Sequence, residues 1–169
     1  MLQLNVGSGQ RPFGKPWVNV DCQAIWNPDV LLDFGNPLVQ HPWEPGSVDT
    51  IVLHHVLEHY GTSESSNMLK FCHSLLKQRG SLLVFVPNMA VLAGKFLGGT
   101  ITPDLYMANV YGAYMGNEAD RHKWGYTRES LRTKLVETGF TRVSMFDWRT
   151  ILHADIAKDT WILGMETIK

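Results

Sequence analysis

Small, acidic and imidazole side chains recur where short apolar runs end in the first third of the sequence. Residues 2–6 form an apolar run that breaks into Gly7-Ser8-Gly9, and a second run, 17–20, ends on Asp21. Glycines at the end of a buried strand let the backbone turn sharply and let a ligand approach it closely. An acid at the end of the next strand offers carboxylate oxygens to hydroxyl groups. Together these residues predict a nucleoside-binding edge in an open α/β sheet.

The glycine turn lacks the third glycine of dinucleotide-binding motifs. In Gly-x-Gly-x-x-Gly a helix begins inside the motif, and its N-terminus holds a pyrophosphate. Pro12 occupies the third position here, and Gly14 and Pro16 follow it. These residues disfavour a helix before the next strand. We therefore expect a ligand with a ribose and a base but no phosphate, such as S-adenosylmethionine, and a nicotinamide-dependent oxidoreductase is a disfavoured alternative.

Composition limits the classes of partner. The chain has 169 residues, of which 44% are apolar and 18% charged, so we expect one globular domain. The net charge of −1 gives no general attraction to nucleic acid or to an anionic membrane. Two cysteines make no disulfide framework, and no apolar run approaches the ~20 residues that span a bilayer. Because the first strand begins so early, we expect no signal peptide and a cytoplasmic location.

The remaining apolar patterns predict the elements that must position these side chains. Further strands are predicted at 30–32, 48–53, 81–86, 140–146 and 160–168, and helices over 63–78 and from Thr127 to about Thr138. Their order predicts an α/β, Rossmann-like, mostly parallel sheet of about seven strands, the last antiparallel, with helices on both faces. Residues 1–169 form a single domain in this interpretation, and the irregular segment 87–126 is an insertion for substrate binding or a lid.

The order and spacing of these motifs resemble those of the small class I S-adenosylmethionine-dependent methyltransferases, in particular the type 11 group. The resemblance spans nearly the whole chain and rests on these segments: 4–9, 17–21, Asp33, 49–52, His55-Val56-Leu57-Glu58-His59, 76–82, 122–127 and Gly139-Phe140. It implies transfer of a methyl group from S-adenosylmethionine to a small-molecule or carbohydrate-like acceptor, with S-adenosylhomocysteine as product. A scaffold or regulator that binds the cofactor without catalysis is the alternative.

Two departures from the family concern the cover of the pocket. The first crossover has no room for the usual helix, and no helices precede the first strand. We expect residues 87–126, or a second subunit in a homodimer, to cover the cofactor instead.

The resemblance also implies roles for individual residues. The cofactor-binding set is Asn5, Gly7, Ser8, Gly9, Asp21, Cys22, Asp33, Phe34, His54 and His55. Within it, Asp21 would accept hydrogen bonds from the ribose hydroxyls, and Asp33 and Phe34 would meet the adenine. Candidate general bases are His55, His59 and His122. Positive and aromatic side chains that could contact the acceptor are Arg121, His122, Trp124 and Tyr126, with Lys123 adding charge to the same patch.

Residues 55–59 also match the inverted zinc-protease motif His-x-x-Glu-His. That motif needs a long helix, which places both imidazoles on one face, and a third ligand. A strand precedes this segment directly and Gly61 follows it, so we predict neither the helix nor a metal ion. A zinc hydrolase is therefore a disfavoured alternative.

Overall fold

One mixed sheet organises the chain in the computed structural model, which describes residues 1–36, 40–112, 117–151 and 160–169. The strands are β1 Gln3–Val6, β2 Trp17–Asp21, β3 Val30–Leu31, β4 Val48–His54, β5 Leu76–Pro87, β6 Thr141–Met145 and β7 Ile162–Ile168. The α-helices are α1 Thr62–Leu75, α2 Met89–Leu97, α3 Pro103–Tyr111 and α4 Arg128–Glu137. The strands lie in the order β3-β2-β1-β4-β5-β7-β6.

The strand directions confirm the predicted topology. β3, β2, β1, β4 and β5 pair in parallel, and β7 runs antiparallel to both β5 and β6. β1 lies between β2 and β4, with Asn5 opposite both Asn19 and Val52. The chain therefore moves outward to one side for β2 and β3 and then crosses to the other side for β4. Ligands of open α/β sheets bind in the crevice at such a reversal, beyond the carboxyl ends of the strands.

The connection from β1 to β2 is a loop without a helix, as Pro12 and its neighbours predict. The side chain of Asn19 on β2 holds this loop. Its Oδ1 accepts hydrogen bonds from the Phe13 N–H (2.7 Å) and from the Asn5 amide (2.9 Å), and its Nδ2 donates to the Phe13 carbonyl (2.9 Å). Buried side-chain bonds thus fix a segment that a helix would otherwise hold.

The main core lies between one face of the sheet and helices α1 and α4. Buried side chains of these helices pack on the strands: Met68, Leu69, Cys72 and Leu75 from α1, and Leu131 and Leu135 from α4. Each buried side chain of this size stabilises the fold by about 1.5–3 kcal/mol. Burial also raises the pKa of the Cys72 thiol, which is a packing residue here.

The opposite face of the sheet carries a smaller apolar cluster. Val52, Leu83 and Phe85 are almost fully buried there. Phe13 and Trp17 cover part of it, with their rings edge to face and their centroids 5.1 Å apart. The loop that Asn19 holds therefore also shields this second face.

Helix α1 is shorter than the sequence predicts, because the chain enters the sheet early. We predicted a helix over 63–78, but α1 ends at Leu75 and Leu76 already pairs with Val48. Leu76 is fully buried, so its place in the core decides the boundary against the helical pattern. The start of α4 is as predicted, since the Thr127 hydroxyl accepts a hydrogen bond from the Ser130 N–H at 3.2 Å.

Segment 87–126 contains the helix pair α2 and α3, packed through stacked Phe96 and Tyr106 rings with centroids 4.6 Å apart. Residues 113–116 of this segment lie outside the described residues. None of the helices in the described ranges is both long enough and apolar enough to cross a membrane.

Candidate functional site

A cavity of about 640 Å³ opens at the carboxyl ends of β1, β2 and β4. This volume lies within the range of pockets that bind cofactors and small ligands. Its walls come from the three strand ends and from residues 119–123. The lining residues are Val6, Gly7, Ser8, Gly9, Gln10, Arg11, Asp21, Cys22, Gln23, Trp26, Leu32, Asp33, Phe34, His54, His55, Val56, His59, Tyr60, Ala119, Asp120 and Lys123.

The glycine turn forms the floor of this cavity. Gly7 and Gly9 have φ angles of +71° and +47°, a conformation that side-chain-bearing residues rarely adopt. The Gly7 N–H donates to the Val20 carbonyl at 2.8 Å, and a Cβ at Gly7 would overlap the Val56 side chain. The backbone can make this turn only because both positions lack a side chain.

Asp21 links the glycine turn to the end of β2. Its Oδ2 accepts a hydrogen bond from the Gly9 N–H and its Oδ1 accepts one from the Gln23 N–H, both at 2.8 Å. The residue is 6% exposed and lines the cavity. A carboxylate has about four acceptor sites. Each oxygen therefore keeps capacity for one hydroxyl of a ligand.

Asp33 belongs to a second polar contact at the end of β3. Its Oδ1 accepts hydrogen bonds from the Tyr60 hydroxyl (2.7 Å) and the Gly35 N–H (2.8 Å). Burial and the Asp33 carboxylate raise the pKa of Tyr60, which stays a hydrogen-bond donor. The neighbouring Phe34 ring packs into the core against Phe71, with centroids 5.0 Å apart. Phe34 thus borders the cavity while most of its ring faces inward.

The segment after β4 places His55 and His59 on the cavity wall and buries the acid Glu58 beside them. Glu58 is 1% exposed, and its Oε1 lies 2.8 Å from His55 Nδ1. Burial raises the pKa of Glu58, but the hydrogen bond from His55, and the charge of His55, His59 and His122 in their protonated forms, lower it by more. The net effect is a lowered pKa, so Glu58 is a carboxylate and His55 donates through Nδ1.

His54 lies on the same strand end but is neutral. Its pKa is lowered to about 3, first by burial and then by His55. Its Nε2 is buried and has no hydrogen-bond partner among the described residues.

Neither a protein-family profile nor a curated protein matches the sequence. Solved structures do match it. An S-adenosylmethionine-dependent methyltransferase from Archaeoglobus fulgidus superposes with a TM-score of 0.63 at 15% identity, over 99% of this chain and 86% of the other. A second S-adenosylmethionine-dependent methyltransferase, from Mesorhizobium loti, superposes with a TM-score of 0.61 at 14% identity, over 99% of this chain and 90% of the other. The fold is that of class I S-adenosylmethionine-dependent methyltransferases.

Other structures with this methyltransferase fold extend the comparison. The 1,6-didemethyltoxoflavin-N1-methyltransferase of Burkholderia thailandensis, solved with S-adenosylhomocysteine, matches with a TM-score of 0.58 at 16% identity, over 99% of this chain and 70% of the other. Against the CurJ carbon methyltransferase, the chain spans about half of the other protein's length (48%).

Within this methyltransferase fold, most of the predicted cofactor residues line one cavity. Gly7, Ser8, Gly9, Asp21, Cys22, Asp33, Phe34, His54 and His55 all do so. Asn5 does not: its amide is directed to Asn19, and it supports the β1–β2 loop. The Cys22 thiol has its pKa raised to about 11 by burial, Asp21 and Asp33, so it is protonated at neutral pH.

The predicted acceptor residues are less close to the cavity. Tyr126 is 1% exposed and belongs to the main core, so its side chain cannot contact an acceptor. Trp124 is 47% exposed, and its side chain, like that of Arg121, does not line the cavity. Arg121 instead pairs with Glu118 at 3.1 Å. His122 packs against His59, which does line the cavity.

Sequence reasoning missed Tyr60 as a cavity residue, whereas Lys123, which belongs to the predicted positive and aromatic patch, does line the cavity. Lys123 lies above the Tyr60 ring, with its Nζ 5.9 Å from the ring centroid. Tyr60 packs against Gly35, where a Cβ would overlap its ring, and this contact leaves no signal in the sequence. The run of basic and aromatic residues indicates Lys123, but not the long-range contact that holds it, in which its N–H donates to the Glu58 carbonyl at 2.8 Å.

The helix that the inverted zinc-protease motif requires does not form. Residues 57–59 make a short 3₁₀ helix, and His55 precedes it with a φ of +53°. His55 hydrogen-bonds Glu58 rather than standing beside His59 on one helical face.

Proposed function

We propose that this protein transfers a methyl group from S-adenosylmethionine to a small-molecule or carbohydrate-like acceptor. The observation that carries the proposal is the glycine turn bonded to the buried Asp21 carboxylate, at the reversal point of a β3-β2-β1-β4-β5-β7-β6 sheet. This crevice is the ligand site of open α/β sheets. The loop 7–16 presents no helix N-terminus to a phosphate, which favours an unphosphorylated adenosine over a dinucleotide.

The lining residues support one orientation of the cofactor. The ribose hydroxyls donate to Asp21, whose oxygens keep acceptor capacity. The adenine lies beside Asp33 and Phe34, at the end of β3. The methionine part passes over the glycine turn toward His54 and His55, and its methyl group faces the end of the cavity where His59 and Lys123 lie.

His55 is the base that the geometry favours when the acceptor must lose a proton. Its Nδ1–H is bonded to the Glu58 carboxylate, which orients the ring and leaves Nε2 for the acceptor proton. The acceptor atom attacks the methyl carbon in line, the carbon–sulfur bond breaks, and its electron pair stays on sulfur. The products are the methylated acceptor and S-adenosylhomocysteine. Alignment in the closed site supplies much of the rate.

Calorimetric titration with S-adenosylhomocysteine tests the cofactor assignment. We expect micromolar binding by the unmodified protein and 10- to 100-fold weaker binding by Asp21→Asn, a loss of about 1.5–3 kcal/mol. The amide keeps one acceptor oxygen but turns its NH₂ toward the N–H groups of Gly9 or Gln23.

Asp49→Asn is the matched control for this titration. Asp49 also bonds a main-chain N–H and lies at the opposite end of its strand, outside the cavity. We expect its affinity to stay within about twofold of the unmodified protein. Equal affinities for all three proteins, or no binding by any, would refute the assignment.

Catalysis itself needs a separate readout, because a scaffold or regulator would bind the cofactor equally well. Release of S-adenosylhomocysteine from S-adenosylmethionine should rise with at least one hydroxyl- or amine-bearing acceptor and fall in His55→Ala. Tight binding without turnover on any such acceptor would support the binding-only alternative.

A further inference from the structure

A compact group of possible metal ligands stands at the acceptor end of the cavity. Glu58, His59 and His122 each offer a ligand atom, and these atoms all lie within 4.8 Å of one another. His59 lines the cavity, and the His59 and His122 rings meet edge to face with centroids 4.8 Å apart. Ligand atoms around one tetrahedral zinc ion lie about 3.3 Å apart, so modest side-chain rotations would close the set.

The hydrogen bonds of both imidazoles leave their lone pairs on the same ring nitrogen. His122 Nδ1 lies 2.8 Å from the Asn109 carbonyl, and His59 Nδ1 lies 3.2 Å from the Arg121 carbonyl. A carbonyl only accepts, so each Nδ1 carries a proton, and in the neutral imidazoles each Nε2 is an acceptor. Donation of one ring N–H to a carbonyl is how proteins orient histidines that bind a metal through the other nitrogen.

Glu58 adds a buried carboxylate oxygen to these two nitrogens. One of its oxygens, Oε1, bonds His55, and the other, Oε2, is buried with no hydrogen-bond partner among the described residues. Leaving a buried charged oxygen unpaired is costly, and such an atom calls for a bound cation or donor. Glu58, His59 and His122 thus each bring one possible ligand atom to within 4.8 Å of the other two.

The main chain holds the two parts of this cluster together. The Glu58 carbonyl accepts hydrogen bonds from the N–H groups of Lys123 (2.8 Å) and Trp124 (3.1 Å), and the His122 N–H donates to the Tyr111 carbonyl at 3.0 Å. These bonds fix the segment that carries His122 over the 3₁₀ helix that carries Glu58 and His59. The cluster is therefore a built feature of the fold.

We propose that Glu58, His59 and His122 bind a divalent transition-metal ion such as Zn²⁺ beside the cofactor pocket. Two imidazoles and one carboxylate are a catalytic zinc set, which leaves a coordination position open for an exogenous oxygen. Given the proposed methyltransferase function, that position would take a hydroxyl or carboxylate oxygen of the acceptor. This departs from the sequence-based expectation of no metal, which considered only a helical His-x-x-Glu-His motif.

Metal titration of the tag-free, chelator-treated protein tests this site without any acceptor. We expect one Zn²⁺ per chain, and one Co²⁺ with the visible absorption of a low-coordinate site. His122→Ala and, independently, His59→Ala should weaken Zn²⁺ binding about 100-fold or more. His59→Ala gives a second variant if His122→Ala unfolds, which circular dichroism would report.

His73→Ala is the matched control, because His73 packs on Phe140 away from the cluster. Its Zn²⁺ affinity should equal that of the unmodified protein. No stoichiometric binding, binding unchanged in both cluster variants, or tighter binding of Mg²⁺ than of Zn²⁺ would overturn the proposal.

Titration with S-adenosylhomocysteine separates this site from the proposed function. Cofactor binding without Zn²⁺ binding would refute the metal site alone. Zn²⁺ binding that His122→Ala abolishes, without cofactor binding, would refute the methyltransferase proposal and leave the metal site in place.

Discussion

At the scale of single residues, Gly7 has the most demanding backbone of the cavity floor. It combines a φ of +71° with direct contact to Val56. Gly7→Ala should destabilise the protein by about 1–3 kcal/mol and weaken S-adenosylhomocysteine binding, because the new methyl group must displace Val56 or the turn. Denaturant unfolding and calorimetry measure the two effects.

Gly14 in the same loop provides the control for that substitution. A Cβ there would contact nothing within 4 Å. Gly14→Ala should therefore leave stability unchanged or raise it by up to about 1 kcal/mol. An equal loss of unfolding free energy in Gly7→Ala and Gly14→Ala would contradict the special role given to Gly7.

The buried His54 should make the stability of the folded protein sensitive to acid. Its pKa in the folded protein is about 3, against 6.5 for the free side chain, mainly because of burial. Between these values the unfolded chain binds a proton that the folded protein does not, so stability falls as the pH falls from 6.5. The contribution is about 1–2 kcal/mol between pH 6.5 and pH 5. Urea unfolding across this range should show a shallower loss in His54→Asn, and identical slopes would contradict the assignment.

The sequence predicted individual site residues where chemistry and local backbone coincide. Gly7 and Gly9 follow the end of β1 and Asp21 ends β2, so the local apolar runs mark their places in the sequence. The approach of Lys123 and His122 to Glu58 could not be predicted in this way. Their approach depends on main-chain bonds between segments more than sixty residues apart, which no periodicity records.

At the scale of elements, the β1–β2 loop replaces a helix and depends on Asn19. That side chain bonds Asn5, Phe13 and Asp29, and it is 7% exposed. Asn19→Ala should destabilise the protein by about 2–4 kcal/mol, because several buried polar groups lose their partner together. It should also weaken cofactor binding, since the loop carries Gln10 and Arg11 into the cavity.

Asn67→Ala is the comparison for Asn19→Ala. Asn67 is exposed on α1, where alanine is the better helix former, so stability should stay the same or rise by up to about 0.5 kcal/mol. If Asn19→Ala changes the free energy of unfolding no more than Asn67→Ala does, Asn19 does not hold the loop.

The pattern of apolar residues predicted which segments are helices and strands better than it predicted where those elements begin and end. The strand at 81–86 was predicted from its apolar run, but β5 begins at Leu76, where a core contact overrides helical spacing. Thr127 fixed the start of α4 correctly because a cap is a local hydrogen bond. Boundaries set by tertiary packing leave no such local signal.

At the scale of the whole molecule, the sheet order decides where a ligand binds. β1 lies between β2 and β4, so their carboxyl ends, with Asp21, Gly7 and His54, meet at one edge. The order of strands and turn residues was enough to predict this arrangement. The cover expected from segment 87–126 or a second subunit stays a prediction, and Ala119, Asp120 and Lys123 of that segment do line the cavity.

A crystal structure of the protein grown with saturating S-adenosylhomocysteine tests the central claim most directly. We expect the ribose hydroxyls within hydrogen-bond distance of the Asp21 carboxylate, and the sulfur between the glycine turn and His55. A ligand bound elsewhere, or density showing this cavity empty at saturation, would contradict the assignment of the cavity to an unphosphorylated adenosine.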